Sequence, residues 1–533
     1  MRRVRSVEAW PPVPPATGWR ALGPQALRRA PGPQALRLDP LLRASGLSAE
    51  RASGLSADAG GVGADPDILG LTAYSRAVRP GFLFAALPGA EVDGRAFIAD
   101  AVARGAAAVL APAGTAWPAG VAARPLVAAA DPRRGLALLA AAFEGAQPET
   151  VVAVTGTNGK TSTVDFLRQL WTLAGLPAAS LGTRGLVAPG FAPGASLTTP
   201  DPVALHAQLA VLARAGVRRA ALEASSHGIE QRRLDGVHLA AAGLSNLTRD
   251  HLDYHGDLAA YRAAKLRLFD KLLAEGAAAV VNADMDAETL AVLRAIAARR
   301  RLRLLTVGEA GADVRLLRQI PLPDGQALEI AAFGARHDLH LSLPGRFQAD
   351  NALLALALAV ATGLPAARAL ALLPRLAGVR GRLELAARLP NGAAVYVDYA
   401  HTPDALERLL SALRPHAGGR LLVVFGAGGD RDAGKRPLMG EACARLADRC
   451  IVTDDNPRGE DPAAIRRAVL AGCPDGIEIG DRAVAIAAAM AELGPGDVLA
   501  VAGKGHESGQ TVAGVTLPFD DAEVVRRLRE ATP

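Results

Sequence analysis

A glycine-rich turn between a β-branched run and an amphipathic helix constrains this chain more than any other feature. Val151–Thr155 predicts a buried strand, and beyond the turn Val164, Leu167 and Leu170 recur at helical spacing. The turn itself is Thr155-Gly-Thr-Asn-Gly-Lys-Thr161. Because glycines let backbone N–H groups approach and surround a phosphate, a strand, turn and helix in this order predict a phosphate-binding loop.

The residues of this loop have separate expected roles. Lys160 is placed to reach the β- and γ-phosphates of a nucleotide, and the Thr161 hydroxyl to bind Mg²⁺. The common loop GxxxxGKS or GxxxxGKT needs a first glycine where this chain has Val154, and the alternative to phosphate binding is a structural turn. The residues expected to bind ATP here are Gly156, Thr157, Asn158, Gly159, Lys160, Thr161 and Ser162.

The rest of the chain alternates strand-like with helix-like runs, which predicts an α/β protein of three domains. Polar or glycine-rich residues follow the strands of the second and third domains, where open α/β sheets bind their ligands. The predicted strands there are Val151–Thr155, Arg219–Glu223, Leu239–Asn246, Ala277–Asn282, Ala394–Asp398, Leu421–Phe425, Cys450–Thr453 and Val498–Val501. We expect a small N-terminal α/β domain over 64–146, a central parallel-sheet domain over 147–379 and a C-terminal Rossmann-like domain over 380–533.

Residues 1–63 differ in composition from everything that follows. Gly23–Arg28 recurs as Gly32–Arg37, and Arg43–Ala49 recurs as Arg51–Ala57. The first forty positions are rich in proline and poor in large apolar residues, so they lack the material for a core. We therefore expect residues 1–63 to be a disordered, low-complexity extension.

Charge and cysteine content exclude several classes of protein. The formal net charge of +6 lies within residues 1–37, which hold seven arginines and one acid, leaving 52 basic and 52 acidic residues in the remainder. With 4% aromatic residues there is little to stack on bases, so no nucleic-acid partner is expected. There is no run of about 18 apolar residues and no signal-peptide pattern. The three scattered cysteines indicate reduced thiols, and we expect a cytoplasmic protein without membrane contact.

Lysine is scarce. Only five of the 59 basic residues are lysines, so arginine has taken nearly every position that needs only a positive charge. Arginine cannot replace lysine where a compact charge or an amine that can lose its proton is required. The surviving lysines are therefore enriched for chemical roles; they are Lys160, Lys265, Lys271, Lys435 and Lys504.

Three further residues are candidates for the same site. Glu223 ends a predicted strand and is well placed as a Mg²⁺ ligand, the alternative being a solvated strand end. His251 taken alone is more typical of a structural histidine. Lys265 lies on a predicted helix whose apolar neighbours lower an amine pKa, and the alternative is an ion pair with Glu223 or Asp250.

Several motifs together resemble the Mur ligases, and within that family the members that add 2,6-diaminopimelate. The resemblance runs from about Ile68 to the C-terminus. Its motifs are the GTNGKT loop, Thr198-Thr-Pro200, Glu223-Ala-Ser-Ser-His-Gly228, Asn246-Leu-Thr-Arg-Asp-His-Leu-Asp-Tyr-His255 and Asn351-Ala352. It implies that Lys265 carries a CO₂-derived carbamate, which with Glu223, His251 and Thr161 holds two Mg²⁺ ions, and that Asn282 lies near the adenine. Lys160, Glu223, His251 and Lys265 are then the catalytic residues.

The resemblance also implies the substrate contacts, position by position. Ser75 and the segment Ala90, Glu91 and Val92 match uridine-diphosphate contacts, although Tyr74 stands where the family usually has aspartate. The positions that match muramoyl-dipeptide contacts are Thr198, Thr199, Ser225, Gln231 and Arg233. Leu197, next to them, stands where some members of the family have asparagine. Arg382, Asp398 and His401 resemble nucleotide contacts of the C-terminal domain.

The C-terminal domain is expected to select the amino acid. Asp455-Asn-Pro-Arg458 is the family's diaminopimelate signature, and Arg431, Gly503 and Glu507 match its other contacts. Diaminopimelate differs from lysine by one carboxylate, and a planar guanidinium binds a carboxylate through two hydrogen bonds. The remaining two positions of the signature, Asn456 and Pro457, complete the predicted pocket.

The implied reaction is an ATP-dependent ligation that joins meso-diaminopimelate to UDP-MurNAc-L-Ala-D-Glu through an acyl phosphate. It belongs to cytoplasmic peptidoglycan precursor synthesis, hence to cell-wall biogenesis, cell shape and cell division, and we expect a monomer. Three alternatives remain open on the sequence. They are a folylpolyglutamate synthetase, a P-loop kinase or motor ATPase, and a non-catalytic nucleotide-binding protein.

Overall fold

The glycine-rich turn lies at the middle of a ten-stranded sheet. The structure, a computed structural model, describes residues 35–47, 50–51, 65–89, 92–191, 197–248 and 252–531. Seven neighbouring strands of the sheet are parallel, one antiparallel strand lies at one edge, and two more extend the other edge. From edge to edge the strands are Gly185–Val187, Ala178–Gly182, Arg219–Glu223, Thr150–Thr155, Leu239–Leu244, Ala278–Asn282, Arg303–Gly308, Val314–Leu322, Gly325–Ala332 and Ala335–Leu341.

Helices cover both faces of this central sheet. Two apolar cores result, one under the helices Lys160–Leu173 and Arg346–Ala361 and the other under Pro202–Arg214 and Ala287–Arg299. Because the strands between them are buried on both faces, they are apolar almost throughout, as parallel strands in this setting are. The remaining helices of the domain are Ser226–Glu230, Leu252–His255, Leu258–Arg267, Leu268–Leu272, Ala366–Leu372 and Leu373–Arg375.

The N-terminal domain is a small α/β unit. Its main sheet has the strand order Glu50–Arg51, Leu126–Ala129, Ala108–Pro112, Phe82–Ala85 and Gly70–Thr72, and Leu36–Arg37 pairs separately with Asp67–Ile68. Its helices are Leu38–Ala44, Ser75–Ala77, Gly94–Phe97, Ile98–Ala103 and Pro132–Glu144.

Part of the predicted disordered extension is ordered. Leu38, Leu41 and Leu42 are at most 3% exposed and join the core of the N-terminal domain. A leucine-rich turn of helix therefore has enough apolar surface to pack, although the surrounding composition predicts disorder. The expectation does not hold for residues 35–47; positions 1–34, 48–49 and 52–63 lie outside the described residues.

The C-terminal domain has a six-stranded sheet that is parallel except at one edge. Its strand order is Glu384–Arg388, Ala394–Asp398, Val498–Ala502, Leu421–Phe425, Arg449–Val452 and Ile477–Glu478, and a separate hairpin joins Gly509–Val512 to Val515–Pro518. The helices are Pro403–Leu413, Arg414–His416, Lys435–Leu446, Pro462–Leu470, Arg482–Ala491 and Asp521–Ala531.

The predicted three-domain α/β fold is confirmed, and the strand predictions agree with the structure to within two residues. The antiparallel extension Val314–Leu341 is the main difference from the predicted parallel central sheet. It forms because alternate residues such as Val314 and Leu316 are buried while Arg315 between them is exposed. Among the described helices, none is both long and apolar enough to span a bilayer.

The central and C-terminal domains are joined by buried polar contacts. The backbone N–H of Gly345 donates to Nε2 of His416 (2.7 Å), so Nδ1 carries the ring proton and donates to the Leu322 carbonyl (2.8 Å). Next to this pair the Tyr396 hydroxyl donates to the Pro323 carbonyl (2.7 Å). Burial lowers the pKa of His416, which favours the neutral ring that this arrangement requires.

A buried ion pair fixes the last helix of the C-terminal domain, and we predict that breaking it is strongly destabilising. Arg482 and Asp521 are 1% and 0% exposed and make two hydrogen bonds of 2.7 Å. Asp521→Asn would leave a buried guanidinium uncompensated and should lower the free energy of unfolding by about 3–5 kcal/mol. Urea unfolding followed by circular dichroism measures this.

The matched control lies on the same helix. Glu523→Gln alters an exposed pair in which Arg527 is 3.7 Å away. Glu523→Gln should lower the free energy of unfolding by only a small fraction of what Asp521→Asn does, because exposed ion pairs are screened by solvent. Equal effects of the two variants would contradict the prediction.

Candidate active site

The glycine-rich loop adopts a backbone that only glycine fits at two positions. Gly156 and Gly159 have φ of 147° and 83°, a region that side chains disfavour. A Cβ atom on Gly156 would lie 2.0 Å from Oγ of Ser245, and one on Gly159 would lie 2.2 Å from Oδ1 of Asn351. The loop therefore packs directly against two other segments of the central domain, and the helix begins at Lys160.

The segment after the neighbouring strand holds the loop in place. Asn246 accepts hydrogen bonds from two loop amides, from Asn158 N–H at Oδ1 (2.9 Å) and from Thr157 N–H at its carbonyl (3.0 Å). The Thr248 N–H donates to the Thr157 hydroxyl (2.9 Å). The motif that begins at Asn246 thus supports the loop from the adjacent strand end.

Two lysine amines meet at one backbone oxygen. Lys160 donates to the carbonyls of Gly156 (3.0 Å) and Thr157 (2.9 Å), and Lys265 donates to the same Gly156 carbonyl (2.8 Å). Lys265 is 1% exposed, and its amine lies 4.4 Å from the centre of the Tyr261 ring. The structure therefore brings the two predicted catalytic lysines together on the loop.

Glu223 lies beside them and is a buried residue, so its interpretation as a solvated strand end is wrong. Its carboxylate accepts hydrogen bonds from the N–H (2.9 Å) and the hydroxyl (3.2 Å) of Thr183. Burial raises the pKa of Glu223, an effect that the bonds from Thr183 and the Thr161 hydroxyl and the charge of Lys160 oppose. A Cβ atom on Gly182 would lie 2.0 Å from its Oε1, so only glycine leaves room for this carboxylate.

The donor atoms at this point fit a divalent magnesium ion. Thr161 and Glu223 supply hard oxygen ligands, and a cation would relieve the desolvation of the carboxylate. In the described ranges, no group of three histidine, cysteine, aspartate or glutamate side chains could hold a metal ion on its own. His251 lies outside the described residues.

Asn282 lies at the same edge of the sheet as the loop. It ends the strand Ala278–Asn282, separated from the loop's strand by Leu239–Leu244. Its Oδ1 accepts from the Asp284 N–H (2.8 Å), and the residue is 9% exposed. The parallel sheet thus places it near the loop, as its position after a strand predicts.

The residues predicted to hold the muramoyl-dipeptide form one connected set. The Thr199 hydroxyl lies 3.1 Å from that of Ser225, and Arg233 donates to the Thr199 carbonyl (2.7 Å) and to Oε1 of Gln231 (2.7 Å). Thr198 lies 3.1 Å from the Thr183 hydroxyl that binds Glu223. The set therefore extends from the edge of the candidate metal site.

The N-terminal domain reaches this set. Arg232 donates to Oδ2 of Asp131 in the N-terminal domain (2.8 Å). Burial lowers the pKa of the adjacent Arg233, and Asp201 and Tyr74 oppose that shift. Ser75 follows Tyr74 and begins a short 3₁₀ helix. Val92 is 56% exposed, whereas Ala90 and Glu91 lie outside the described residues.

The predicted nucleotide contacts of the C-terminal domain lie in two segments that Asp398 joins. Both carboxylate oxygens of Asp398 accept backbone hydrogen bonds, from Leu383 and from Ala400 (2.8 Å each). The Arg382 guanidinium lies 5.0 Å above the Tyr399 ring, and Nδ1 of His401 lies 2.7 Å from the Tyr399 carbonyl. Asp398 therefore fixes the backbone that presents Arg382 and His401.

The residues predicted to form the amino-acid pocket lie together. Asn456 donates to Oε2 of Glu507 (2.8 Å), and a Cβ atom on Gly503 would lie 2.3 Å from Oδ2 of Asp455. Arg458 donates to the Gly429 carbonyl (2.7 Å). Both Arg458 and Arg431 lie against Gly428, and Pro457 packs on Gly429. Asn456 and Arg458 have φ of 46° and 53°, a strained turn that directs neighbouring side chains to the pocket.

Sequence reasoning assigned several polar residues to neither site. Lys504 is fully buried and donates to Oδ1 of Asn456 (3.1 Å), and Lys435 donates to the His401 carbonyl (2.9 Å). The scarcity of lysine marks both as enriched for chemical roles but does not indicate which residues they contact. Thr183 and Tyr399 carry no comparable signal, because their contacts come from distant segments.

Charges of both domains act on one residue of the amino-acid site. Partial burial lowers the pKa of His506, and so do the positive charges of Arg382 and Arg184. Arg184 follows Thr183 in the central domain, whereas His506 precedes Glu507 in the C-terminal domain.

Known proteins are similar to this chain in both sequence and architecture. The Mur ligase family, catalytic domain matches residues 67–144, the Mur ligase middle domain residues 154–359, and the Mur ligase, glutamate ligase domain residues 381–505. UDP-N-acetylmuramoyl-L-alanyl-D-glutamate–2,6-diaminopimelate ligase of Caulobacter vibrioides is 56% identical over 473 residues, which cover 87% of this chain and 96% of the relative.

Solved structures of known proteins are similar to this chain as well. A structure of UDP-N-acetylmuramoyl-L-alanyl-D-glutamate–2,6-diaminopimelate ligase has a TM-score of 0.71 at 32% identity and covers 93% of this chain and 99% of its own. Mycobacterium tuberculosis folylpolyglutamate synthase, complexed with ADP and AMPPCP, has a TM-score of 0.53 at 22% identity and covers 70% and 92%. At 22% identity, the similarity to the folylpolyglutamate synthase shows a shared fold and nothing more. The resemblance predicted from the motifs is confirmed, and the chain belongs to the Mur ligase family.

Proposed function

We propose that this chain joins meso-diaminopimelate to UDP-MurNAc-L-Ala-D-Glu at the expense of ATP, as a cytosolic monomeric enzyme of peptidoglycan precursor synthesis. The observation that carries the proposal is the charge pattern of the C-terminal pocket. Arg431 and Arg458 lie together at Gly428, and Asp455 and Glu507 lie together at the Lys504 amine. The distal end of diaminopimelate carries a carboxylate and an ammonium, which match these two pairs of charges.

Lys160 and the loop amides would bind the triphosphate. In the structure the Lys160 amine donates to two carbonyls of its own loop. We expect it to leave those carbonyls for the β- and γ-phosphate oxygens, which carry full negative charge. The proposed adenine and ribose contacts are Asn282, Arg382, Asp398 and His401.

The magnesium ions belong to the same proposal. Thr161 and Glu223 would hold one ion, and His251 with a carbamate on Lys265 the other, since an amine that donates to Gly156 cannot itself bind a cation. When bound, the ions offset negative charge on the transferring phosphoryl group.

The acceptor would be held between the first two domains. Ser75 and the segment 90–92 bind the uridine diphosphate in this proposal, and the Thr198, Thr199, Ser225, Gln231 and Arg233 set binds the muramoyl-dipeptide. The D-glutamyl γ-carboxylate attacks the γ-phosphate and releases ADP, giving an acyl phosphate. The diaminopimelate amine then attacks that carbonyl, loses a proton and expels phosphate, so protein residues mainly position and stabilise.

The three alternative functions require different residues. A folylpolyglutamate synthetase shares the fold but has no need of the Asp455–Arg458 turn or of Ser75. A kinase or motor ATPase needs no amino-acid pocket. A non-catalytic nucleotide-binding protein is disfavoured because Lys160, Lys265 and Glu223 lie beside one loop.

An amino-acid panel tests the proposed function. The purified chain is supplied with ATP, Mg²⁺ and the UDP-dipeptide, and ADP release is measured with meso-diaminopimelate, L-lysine or L-ornithine. We expect release to require the UDP-dipeptide and to be fastest with meso-diaminopimelate. Release without any acceptor would favour a motor ATPase, and turnover that depends on folate would favour the synthetase.

Lys265 should be essential as an amine and not as a cation. Lys265→Ala should lower kcat by at least about 100-fold, the size expected when a transition-state charge partner is lost. A small carboxylic acid that fills the place of the carbamate should restore part of this activity. Lys265→Arg should stay inactive, because a guanidinium forms no carbamate.

Two measurements control this result. Lys271→Ala removes an exposed lysine paired with Asp270 and should leave kcat unchanged. With ¹³C-labelled bicarbonate, the wild type should show a carbamate signal that Lys265→Ala lacks. Full activity of Lys265→Arg would contradict the carbamate.

Arg458→Ala should impair amino-acid binding selectively. Loss of a charge-assisted hydrogen bond predicts a KM for diaminopimelate that is roughly 10- to 100-fold higher, with little change in the KM for ATP. Arg467→Ala is the matched control, since Arg467 is an exposed arginine on the next helix. An unchanged KM for diaminopimelate in Arg458→Ala would remove this assignment.

A further inference from the structure

Lys504 occupies the floor of the C-terminal pocket. It follows the central strand Val498–Ala502, and its side chain has no exposed surface. Its amine lies 3.1 Å from Oδ1 of Asn456, 3.5 Å from Oδ1 of Asp455 and 3.6 Å from Oε2 of Glu507. One buried cation thus contacts three of the residues proposed to receive the amino acid.

The charges around Lys504 do not cancel. The nearby guanidinium of Arg482 is already paired with Asp521 by two hydrogen bonds. Lys504 therefore faces two carboxylates, Asp455 and Glu507, and one negative charge is left over. The Asp455 side chain is 8% exposed and that of Glu507 is 35% exposed, so the uncompensated charge lies on the open side of the pocket, at Glu507.

Among the described ion pairs, Asp455 and Glu507 pair with Lys504 and not with Lys435, the other lysine near this pocket. The Lys435 amine donates to the His401 carbonyl; burial lowers its pKa, and Asp432 and Asp455 oppose that shift. Burial lowers the pKa of Lys504, while Asp455 and Glu507 oppose the shift and favour the charged amine.

Lys504 also sets the orientation of Asn456. Oδ1 of Asn456 accepts from Lys504 and from the Thr511 N–H (2.9 Å), which leaves its amide nitrogen to donate to Glu507 (2.8 Å). An amide with two donors at one end has a single favourable orientation. Glu507 is therefore held in place through a chain of contacts that begins at Lys504.

We propose that Lys504 is a positioning residue that determines amino-acid specificity by neutralising Asp455, so that the pocket offers a single negative charge, on Glu507, to the distal ammonium. The inference rests on the proposed function and concerns the same site. A pocket with one uncompensated carboxylate beside Arg458 and Arg431 suits a distal end that is zwitterionic. Two uncompensated carboxylates would shift the preference toward a distal end that is only cationic, as in L-lysine.

The lysine itself fits this role better than arginine would. The amine lies 3.1–3.6 Å from oxygen atoms of Asp455, Asn456 and Glu507, and a compact ammonium can donate in three directions. A planar guanidinium is larger and donates in a fixed fork. This explains why a lysine persists here in a chain that otherwise uses arginine.

The test compares kcat/KM for meso-diaminopimelate with kcat/KM for L-lysine. In Lys504→Met the ratio should fall by about tenfold or more, because the pocket gains one negative charge, while the KM for ATP stays within about twofold of wild type. In the double variant Lys504→Met/Asp455→Asn the ratio should return toward the wild-type value, since one carboxylate is again uncompensated. Lys271→Met, at an exposed lysine, should leave the ratio unchanged.

Misfolding and a failure of the proposed function give different outcomes. A merely structural role for Lys504 predicts equal losses with both amino acids and no restoration in the double variant, and either result overturns the inference. If Lys504→Met does not fold, Lys504→Gln, which keeps a donor for Asn456 but no charge, takes its place with the same expected ratio. A wild-type chain with no diaminopimelate-dependent ADP release would instead refute the proposed function.

Discussion

The carbonyl of Gly156 is the contact on which the candidate active site depends. It accepts hydrogen bonds from the amines of Lys160 and Lys265, which approach it from different helices. This oxygen is available only because the backbone at Gly156 has a conformation that glycine tolerates and that brings it against Ser245. The loop therefore holds the two lysine amines close together.

The amino-acid pocket of the C-terminal domain also depends on a buried lysine, but there the lysine contacts carboxylates and not a backbone carbonyl. In the C-terminal pocket a buried lysine faces two carboxylates, and two arginines lie together at Gly428. Burial lowers the pKa of His506, and the charges of Arg382 and of Arg184, a residue of the central domain, act in the same direction. Relative movement of the two domains would thus change the distance between the proposed acyl phosphate and the amine that attacks it.

The sequence predicts the backbone of the site better than its side-chain contacts. The loop, Glu223 and Asn282 could be placed on one edge because each ends or follows a strand of a parallel sheet. The contact between Lys265 and Gly156 joins residues 109 positions apart, and no local pattern specifies it. The scarcity of lysine marks Lys504, but its partners Asn456 and Glu507 are known only from the fold. The helix Leu38–Ala44 shows the reverse error, since composition predicts disorder where three leucines pack into a core.

The most direct test of the account is a crystal structure of the chain with Mn²⁺ in place of Mg²⁺ and a non-hydrolysable ATP analogue. Anomalous scattering would locate the metal ions. The account predicts one ion beside Thr161 and Glu223, a second beside a modified Lys265, and a Lys160 amine that has moved from the Gly156 carbonyl to the phosphates. Metal ions bound away from Glu223, or an unmodified Lys265 still donating to Gly156 with the nucleotide in place, would contradict it.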